Sequence, residues 1–306
     1  MSEKIVITEE ELKEIIKEAV YKALETAQYR ALLNEWGKAT DKNSYEADRL
    51  FSFVLNIYQK NTPTTDNDFY SIFQGQFPYK VYGVVVKVNF KVVSYKSYES
   101  YIRYAGTEET KIKLSFVEPN ILNVGLNILG PNNFKWNAVG DIAHELGHLH
   151  QYVEAHGGEI PDNTEYNDEE VDKRQMYMYA LDLIQNHNNE AYNKIGYLIY
   201  DSYRFEQTSV FEESYASMKE LKLPTNLCFR QTAAFQMQQR MEANYRFFKY
   251  NRNAPELIQI MHEIKKKFGI TYGELNRNVY ERKKRFDDGV KELKMKYEIW
   301  WRKNNK

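Results

Sequence analysis

Cysteine is almost absent from this chain of 306 residues, which contains only Cys228. A single thiol cannot form an intrachain disulfide, and it cannot build a zinc site from several cysteines. The chain has no apolar run near the roughly 20 residues that a membrane-spanning helix needs, and its mean hydropathy is -0.69. Its first residues lack the apolar core of a secretory signal peptide. We therefore exclude disulfide scaffolds and membrane proteins and expect a cytoplasmic globular protein.

The chain also lacks an excess of charge of either sign, with 42 Lys and Arg residues against 43 Asp and Glu residues. No overall electrostatic field draws it to nucleic acids or to anionic membranes. The C-terminal part is locally basic, for example at Lys265–Lys267 and Arg282–Arg285, but acidic residues are interspersed there. This mixture is typical of solvated helix faces, so we expect neither a membrane partner nor a nucleic-acid partner.

The order of predicted elements indicates a predominantly helical α+β fold, because a few strands precede a long series of helices. Residues 59–78 are rich in turn-forming residues and predict a boundary. The predicted strands are rich in β-branched residues and cover Val81–Val93, Lys111–Phe116 and Leu122–Leu129. The predicted helices cover residues 41–58, 138–156, 169–186, 190–201, 203–221, 228–249, 254–267 and 271–302.

This pattern predicts a helical segment over residues 1–58, a core over 79–221 and a second helical segment over 222–306. The first segment opens with a capping box, Thr8 followed by Glu11 three residues later. An apolar stripe follows from Leu12 to Leu24. Two interpretations stay open for this helix: it packs on its own core, or it mediates self-association or binds a partner.

The strongest chemical pattern is His144-Glu145-Leu146-Gly147-His148, inside a predicted helix with Asn137 as its N-cap and Gly157 just beyond its end. Residues four apart lie one above the other on a helix, so the two imidazoles can bind one zinc ion. Glu145 lies about 100° around the helix, beside the metal. An apolar stripe on another face is predicted to be buried and contains Ile142, Leu146, Leu149 and Val153. The alternative is that both histidines are hydrogen-bonded core residues.

This stretch resembles the active-site helix of the zincin metallopeptidases. The resemblance implies a small mixed sheet, the motif helix and a later helix that supplies the third zinc ligand. It also implies that Glu145 acts as general base and then general acid, and that the edge strand Leu122–Leu129 holds an extended peptide or protein substrate. Asp141 is a candidate to orient a ligand imidazole, and Tyr152, Tyr200 and Tyr203 are candidates to stabilise an oxyanion.

The third ligand distinguishes the branches of this family. Gln151 and Glu154 stand where the metzincin branch has a glycine and a third histidine, so the resemblance favours the gluzincin branch, whose third ligand is a glutamate. Glu206 is the favoured candidate, in a helix capped by Asp201 or Ser202, and Glu213 is the alternative. These two glutamates lie about 10.5 Å apart along a helix axis, so they are not expected to bind the same ion.

The predicted function is therefore that of a zinc-dependent peptidase with His144, His148 and Glu206 as metal ligands. Residues Tyr197–Ala216 also resemble, more loosely, the tyrosine-rich third-ligand helix of peptidase-like proteins of tailed bacteriophages. The N-terminal helix loosely resembles leaders on phage structural and internal proteins. The rival hypothesis is accordingly an inactive protein of zincin fold with a structural or interaction role, associated with a virion through that helix.

Overall fold

The computed structural model describes residues 40–104, 113–114, 121–129, 135–158 and 168–305. Residues Lys42–Lys306 form one compact unit, and everything below concerns that unit. The predicted capping box at Thr8 and the helix after it lie outside the described residues, and the three-part division of the chain stays a prediction. In the part of the chain that is described, no helix combines the length and the apolar character needed to cross a membrane.

One mixed sheet contains the five strands found among the described residues. Their bounds are β1 Thr65–Asp66, β2 Tyr70–Val81, β3 Val84–Tyr95, β4 Lys113–Leu114 and β5 Ile121–Leu129. The strand order is β1-β2-β3-β5-β4. β3 pairs with β2 antiparallel and with β5 parallel, and β4 pairs with β5 antiparallel. The small mixed sheet that the sequence predicts is thus confirmed.

The first two long strands form a hairpin that the sequence analysis did not predict. Residues 59–78 were assigned to turns and Val81–Val93 to one strand, but β2 and β3 are separated by a turn at Tyr82–Gly83. Both turn residues have positive φ, 52° and 86°, as a type I′ hairpin turn requires. Pro78 is one of the residues on which the prediction of turns over residues 59–78 was based. Proline is tolerated in β2 because β1, its neighbour on the other side, pairs only with Ser71 and Ile72.

Ten helices are described, and most of them follow the sheet. Their bounds are α1 at residues 40–60, α2 Tyr98–Tyr104, α3 Lys135–Ala155, α4 Asp168–Gln185, α5 Glu190–Tyr200, α6 Arg204–Leu221, α7 Thr225–Phe229, α8 Ala233–Tyr250, α9 Pro255–Phe268 and α10 Tyr272–Asn304. The predominantly helical α+β class is confirmed.

Three predicted helix boundaries are wrong. α3 begins at Lys135, so Asn137 lies inside it and is not its N-cap. The predicted helix 228–249 is two helices, because the side chain of Thr232 accepts a hydrogen bond from Phe235 N and caps α8 there. The N-cap of α6 is Tyr203, without a side-chain hydrogen bond, rather than Asp201 or Ser202. Asp201 is instead buried against the Arg240 guanidinium, with both N–O distances at 2.7 Å.

One face of α3 packs against the sheet and α1. The buried residues that α3 contributes to this core are Val139, Ile142, Ala143, Leu146, Leu149 and Val153. They meet alternate residues of β3, including Val86, Val88, Phe90 and Val92, as expected for a strand with one buried face. Burying each large aliphatic side chain contributes about 1.5–3 kcal/mol, so the predicted stripe fixes the orientation of α3.

A different face of α3 lies directly against α6, and glycine makes this close approach possible. A Cβ atom added at Gly140 would lie 2.2 Å from Ser217 Oγ, and one added at Gly147 would lie 2.1 Å from Glu212 Oε2. Both distances are far below van der Waals contact, so Ser217 or Glu212 would have to move to admit a larger residue. The backbone of α6 therefore runs close enough to α3 for short polar side chains to meet.

Candidate metal centre

The two histidines of the α3 motif present the same ring atom to each other. His144 Nε2 and His148 Nε2 are 3.1 Å apart, and the two ring centroids are 4.7 Å apart. The side chain of His148 is buried and that of His144 is mostly buried. The four-residue spacing has thus brought two nitrogen donors to one point.

Glu206, in the first turn of α6, completes the group. Its side chain is only 2% exposed, and its Oε2 atom lies 3.7 Å from His144 Nε2 and 3.8 Å from His148 Nε2. His144, His148 and Glu206 together could hold a metal ion. The three interatomic distances place one point about 2.1 Å from all three donor atoms, and zinc binds histidine nitrogen and carboxylate oxygen at about 2.0–2.2 Å.

The opposite nitrogens of both rings contact α6. His144 Nδ1 lies 3.0 Å from Glu213 Oε2, and His148 Nδ1 lies 3.1 Å from Ser209 Oγ. Partners of this kind hold the Nδ1 proton and direct the Nε2 lone pair towards a metal. Glu206, Ser209 and Glu213 have spacings of three and four residues, so they lie along one face of α6. Glu213, the alternative third ligand, therefore contacts the His144 ring at Nδ1, on the side opposite the Nε2 donor.

Glu206 is itself held from two neighbouring helices. The Tyr177 hydroxyl, on α4, donates a hydrogen bond of 2.8 Å to Glu206 Oε1. Tyr200, the last residue of α5, interacts with the same carboxylate through its hydroxyl. Tyr177 could not be predicted from the sequence, because no local pattern distinguishes this tyrosine from the other 24 in the chain.

The ionisation of the three donors differs strongly. Burial lowers the pKa of His148 to about 3, and the charge of His144 adds to this effect. Burial also lowers the pKa of His144, but the hydrogen bond with Glu213 and the charges of Glu206 and Glu145 outweigh it and raise that pKa to about 9. Burial raises the pKa of Glu206, against the opposing effects of His144 and Tyr177. At neutral pH His148 is thus uncharged, whereas a metal must displace a proton from His144.

Three other predicted candidates, Glu145, Asp141 and Tyr203, lie close to this group without joining it. Glu145 is partly buried, and its charge acts on His144. Asp141 is exposed, and the carboxylate that contacts the His144 ring is that of Glu213. The Tyr203 ring packs edge-on against Tyr177 at 5.3 Å, so it supports the hydroxyl that holds Glu206.

A second carboxylate of α6, Glu212, is also buried, but it is not one of the three candidate ligands. Asn43, on α1, contacts Glu212 Oε2 through its amide nitrogen. Burial raises the pKa of Glu212 to about 8, although Asn43 and His144 oppose the shift. Glu212 is therefore largely protonated near neutral pH, which reduces the cost of burying it next to Gly147.

Comparison of this chain with protein-family models, with curated proteins and with solved structures yields no match. The functional argument therefore depends on the geometry of the site.

Proposed function

We propose that this protein is a zinc-dependent peptidase that hydrolyses peptide bonds, with Glu145 as general base and general acid. The observation that carries the proposal is the convergence of Glu206 Oε2 on the Nε2 atoms of His144 and His148, while both Nδ1 atoms contact α6. Two histidines and one carboxylate are the ligand set of one class of catalytic zinc site, in which a fourth position is left open.

The donor types favour zinc over the alkaline-earth ions. Imidazole nitrogen suits zinc, copper, iron and nickel, whereas calcium and magnesium prefer sites built from oxygen atoms. When bound, zinc would supply Lewis acidity that polarises a substrate carbonyl and makes water nucleophilic at neutral pH. The protein's own contribution is to hold three donors in place and to surround them with buried side chains.

Two features support Glu145 as the group that transfers the proton. It follows the first ligand directly and is turned about 100° from it around α3, and its partly buried carboxylate is close enough to act on the His144 charge. In the proposed reaction, a Glu145 carboxylate oxygen takes a proton from the attacking water and delivers it to the nitrogen of the leaving amine.

The sheet offers a place for an extended substrate. β5 is the last strand before α3, and it pairs with β3 along its length. On its other side, among the described residues, β4 pairs only with Leu122 and Asn123. Main-chain groups from Val124 onwards are thus candidates to bind a peptide by adding a strand.

The test is hydrolysis of a mixed peptide pool by the purified full chain. We expect cleavage that a chelator abolishes and zinc restores. The Glu145→Gln variant should retain zinc and lose turnover by about 10²–10⁴-fold, the usual contribution of a general base. Glu154→Gln is the matched control, because Glu154 lies on the same helix and its side chain is 69% exposed.

Two outcomes would contradict the proposal. Undiminished turnover in Glu145→Gln would remove Glu145 from the reaction. Stoichiometric zinc binding without cleavage of any peptide would favour the inactive structural or interaction protein instead.

A further inference from the structure

We infer that Tyr177 is a positioning residue that holds Oε1 of Glu206 and so keeps Oε2 turned towards the two histidines to bind a metal. This inference rests on the proposed metal site, and it adds a residue from α4 that is not a ligand. The inference predicts how many donor atoms Glu206 gives to a metal. A carboxylate held in this way supplies one donor atom rather than two.

The two oxygens of the Glu206 carboxylate have different neighbours. Glu206 Oε1 accepts the Tyr177 hydroxyl at 2.8 Å, whereas Oε2 lies 3.7 and 3.8 Å from the two histidine Nε2 atoms. Rotating the carboxylate to turn Oε1 towards the histidines would break the hydrogen bond inside a buried region. Losing a hydrogen bond inside a buried region leaves a polar group unsatisfied, so the observed orientation is preferred.

The hydroxyl itself is held in place by packing. Tyr177 is 8% exposed, and its ring stacks on Tyr200 with centroids 5.3 Å apart. Tyr203 and Phe205 pack against the same ring with centroids 5.3 and 5.1 Å away. These three aromatic neighbours restrict the rotation of the Tyr177 ring. Burial also raises the pKa of Tyr177, so its hydroxyl stays protonated at neutral pH and can donate a hydrogen bond.

A single oxygen from Glu206 matters because a catalytic zinc site needs an open position. Two histidine nitrogens and one oxygen fill three positions of a tetrahedron and leave the fourth for water or substrate. A carboxylate that bound through both oxygens would occupy that space. Tyr177 therefore preserves room at the metal without touching it.

The experiment compares Tyr177→Phe with Tyr179→Phe in the full chain. Tyr179 is a matched control, because it lies on the same helix and its hydroxyl also donates to a glutamate, Glu263 at 3.0 Å, away from the site. Zinc affinity is measured by competition with a chelator of known affinity, and the Co²⁺-loaded proteins are compared by visible absorption, which reports coordination number.

We expect Tyr177→Phe to bind zinc about 10–100-fold more weakly, the usual effect of losing a hydrogen-bond partner of a ligand. Its Co²⁺ absorption should weaken towards that of a five-coordinate site. Tyr179→Phe should match the wild type in both measurements. Replacing Tyr177 with 4-aminophenylalanine, which keeps the ring and a donor, should restore the affinity and the spectrum.

If Tyr177→Phe does not fold, 4-methylphenylalanine replaces phenylalanine, because it fills the hydroxyl's volume without a donor. Unchanged affinity and spectrum in the donor-free variant would overturn the inference, and so would a loss that 4-aminophenylalanine does not restore. Failure of the wild type to bind zinc would instead refute the proposed function.

Discussion

The two faces of α3 are stabilised in different ways. The face towards the sheet is a stripe of aliphatic residues, with Leu146 at its centre and fully buried. The face towards α6 is built from glycines and polar groups, with Gly147 at its centre. Leu146 and Gly147 are neighbours in the chain, yet one fills space in the core and the other leaves room for Glu212 and Ser209. The apolar face positions the helix, and the polar face is what a metal site can be built on.

A pair of substitutions separates these two roles. Leu146→Ala should lower the free energy of unfolding by about 2–5 kcal/mol through loss of burial and a cavity, while the folded fraction binds zinc as the wild type does. Gly147→Ala should cost about 1–3 kcal/mol through overpacking against Glu212 and Ser209. It should also weaken zinc binding, because Ser209, the partner of His148 Nδ1, would have to move. Denaturant unfolding and zinc titration of both variants measure the two effects.

The two variants could instead lose zinc affinity equally, after correction for the unfolded fraction. That result would contradict the division of roles between the apolar and polar faces of α3. It would mean that the site depends on the general stability of α3 rather than on its contact with α6.

The polar face can be weakened without moving the helices. Glu213→Ala removes the partner of His144 Nδ1 and should reduce zinc affinity by about 10–100-fold, because the ring is no longer oriented. Glu220→Ala, on the same helix, is the control: it breaks an ion pair with Lys135 that lies away from the site. Zinc competition titration of both variants provides the measurement. Loss of all zinc binding in Glu213→Ala would point to Glu213 as a metal ligand.

A pH-dependent effect on stability is expected at Glu212. Its pKa is raised to about 8 in the folded protein, so the folded state holds an extra proton between about pH 4.5 and pH 8. The free energy of unfolding should therefore fall as the pH rises through that range. Glu212→Gln cannot ionise, so from pH 5 to pH 8 it should gain on the order of 3 kcal/mol relative to the wild type.

Chemical denaturation at both pH values, with a chelator present, measures this difference. A constant difference between Glu212→Gln and the wild type would mean that Glu212 is ionised throughout the range.

The apolar face of α3 was predictable because helical periodicity directly reports burial. Ile142 and Leu146 are fully buried, as the stripe predicts. The same local reasoning failed for β2, since Gly75 and Pro78 read as turn residues. Gly75 is instead needed in the strand, because a Cβ atom there would lie 2.8 Å from the Phe90 ring.

The polar face was only partly predictable. The spacing of His144 and His148 fixes their mutual position within one helix, and Glu206 was favoured from a separate helix. The roles of Ser209, Glu213 and Tyr177 could not be derived, because they depend on how α4 and α6 pack against the motif helix. Local sequence contains no measure of that packing.

The arrangement of ligands on α3 and α6 has a mechanical consequence. His148 and Glu206 are far apart in the chain, so an ion bound to both would act as a reversible cross-link that closes the long loop between them. Filling the site should therefore fasten α4 and α5 to the rest of the unit, and stripping the ion should release them first. The occupancy of one small site would then set how easily this whole stretch opens to a protease.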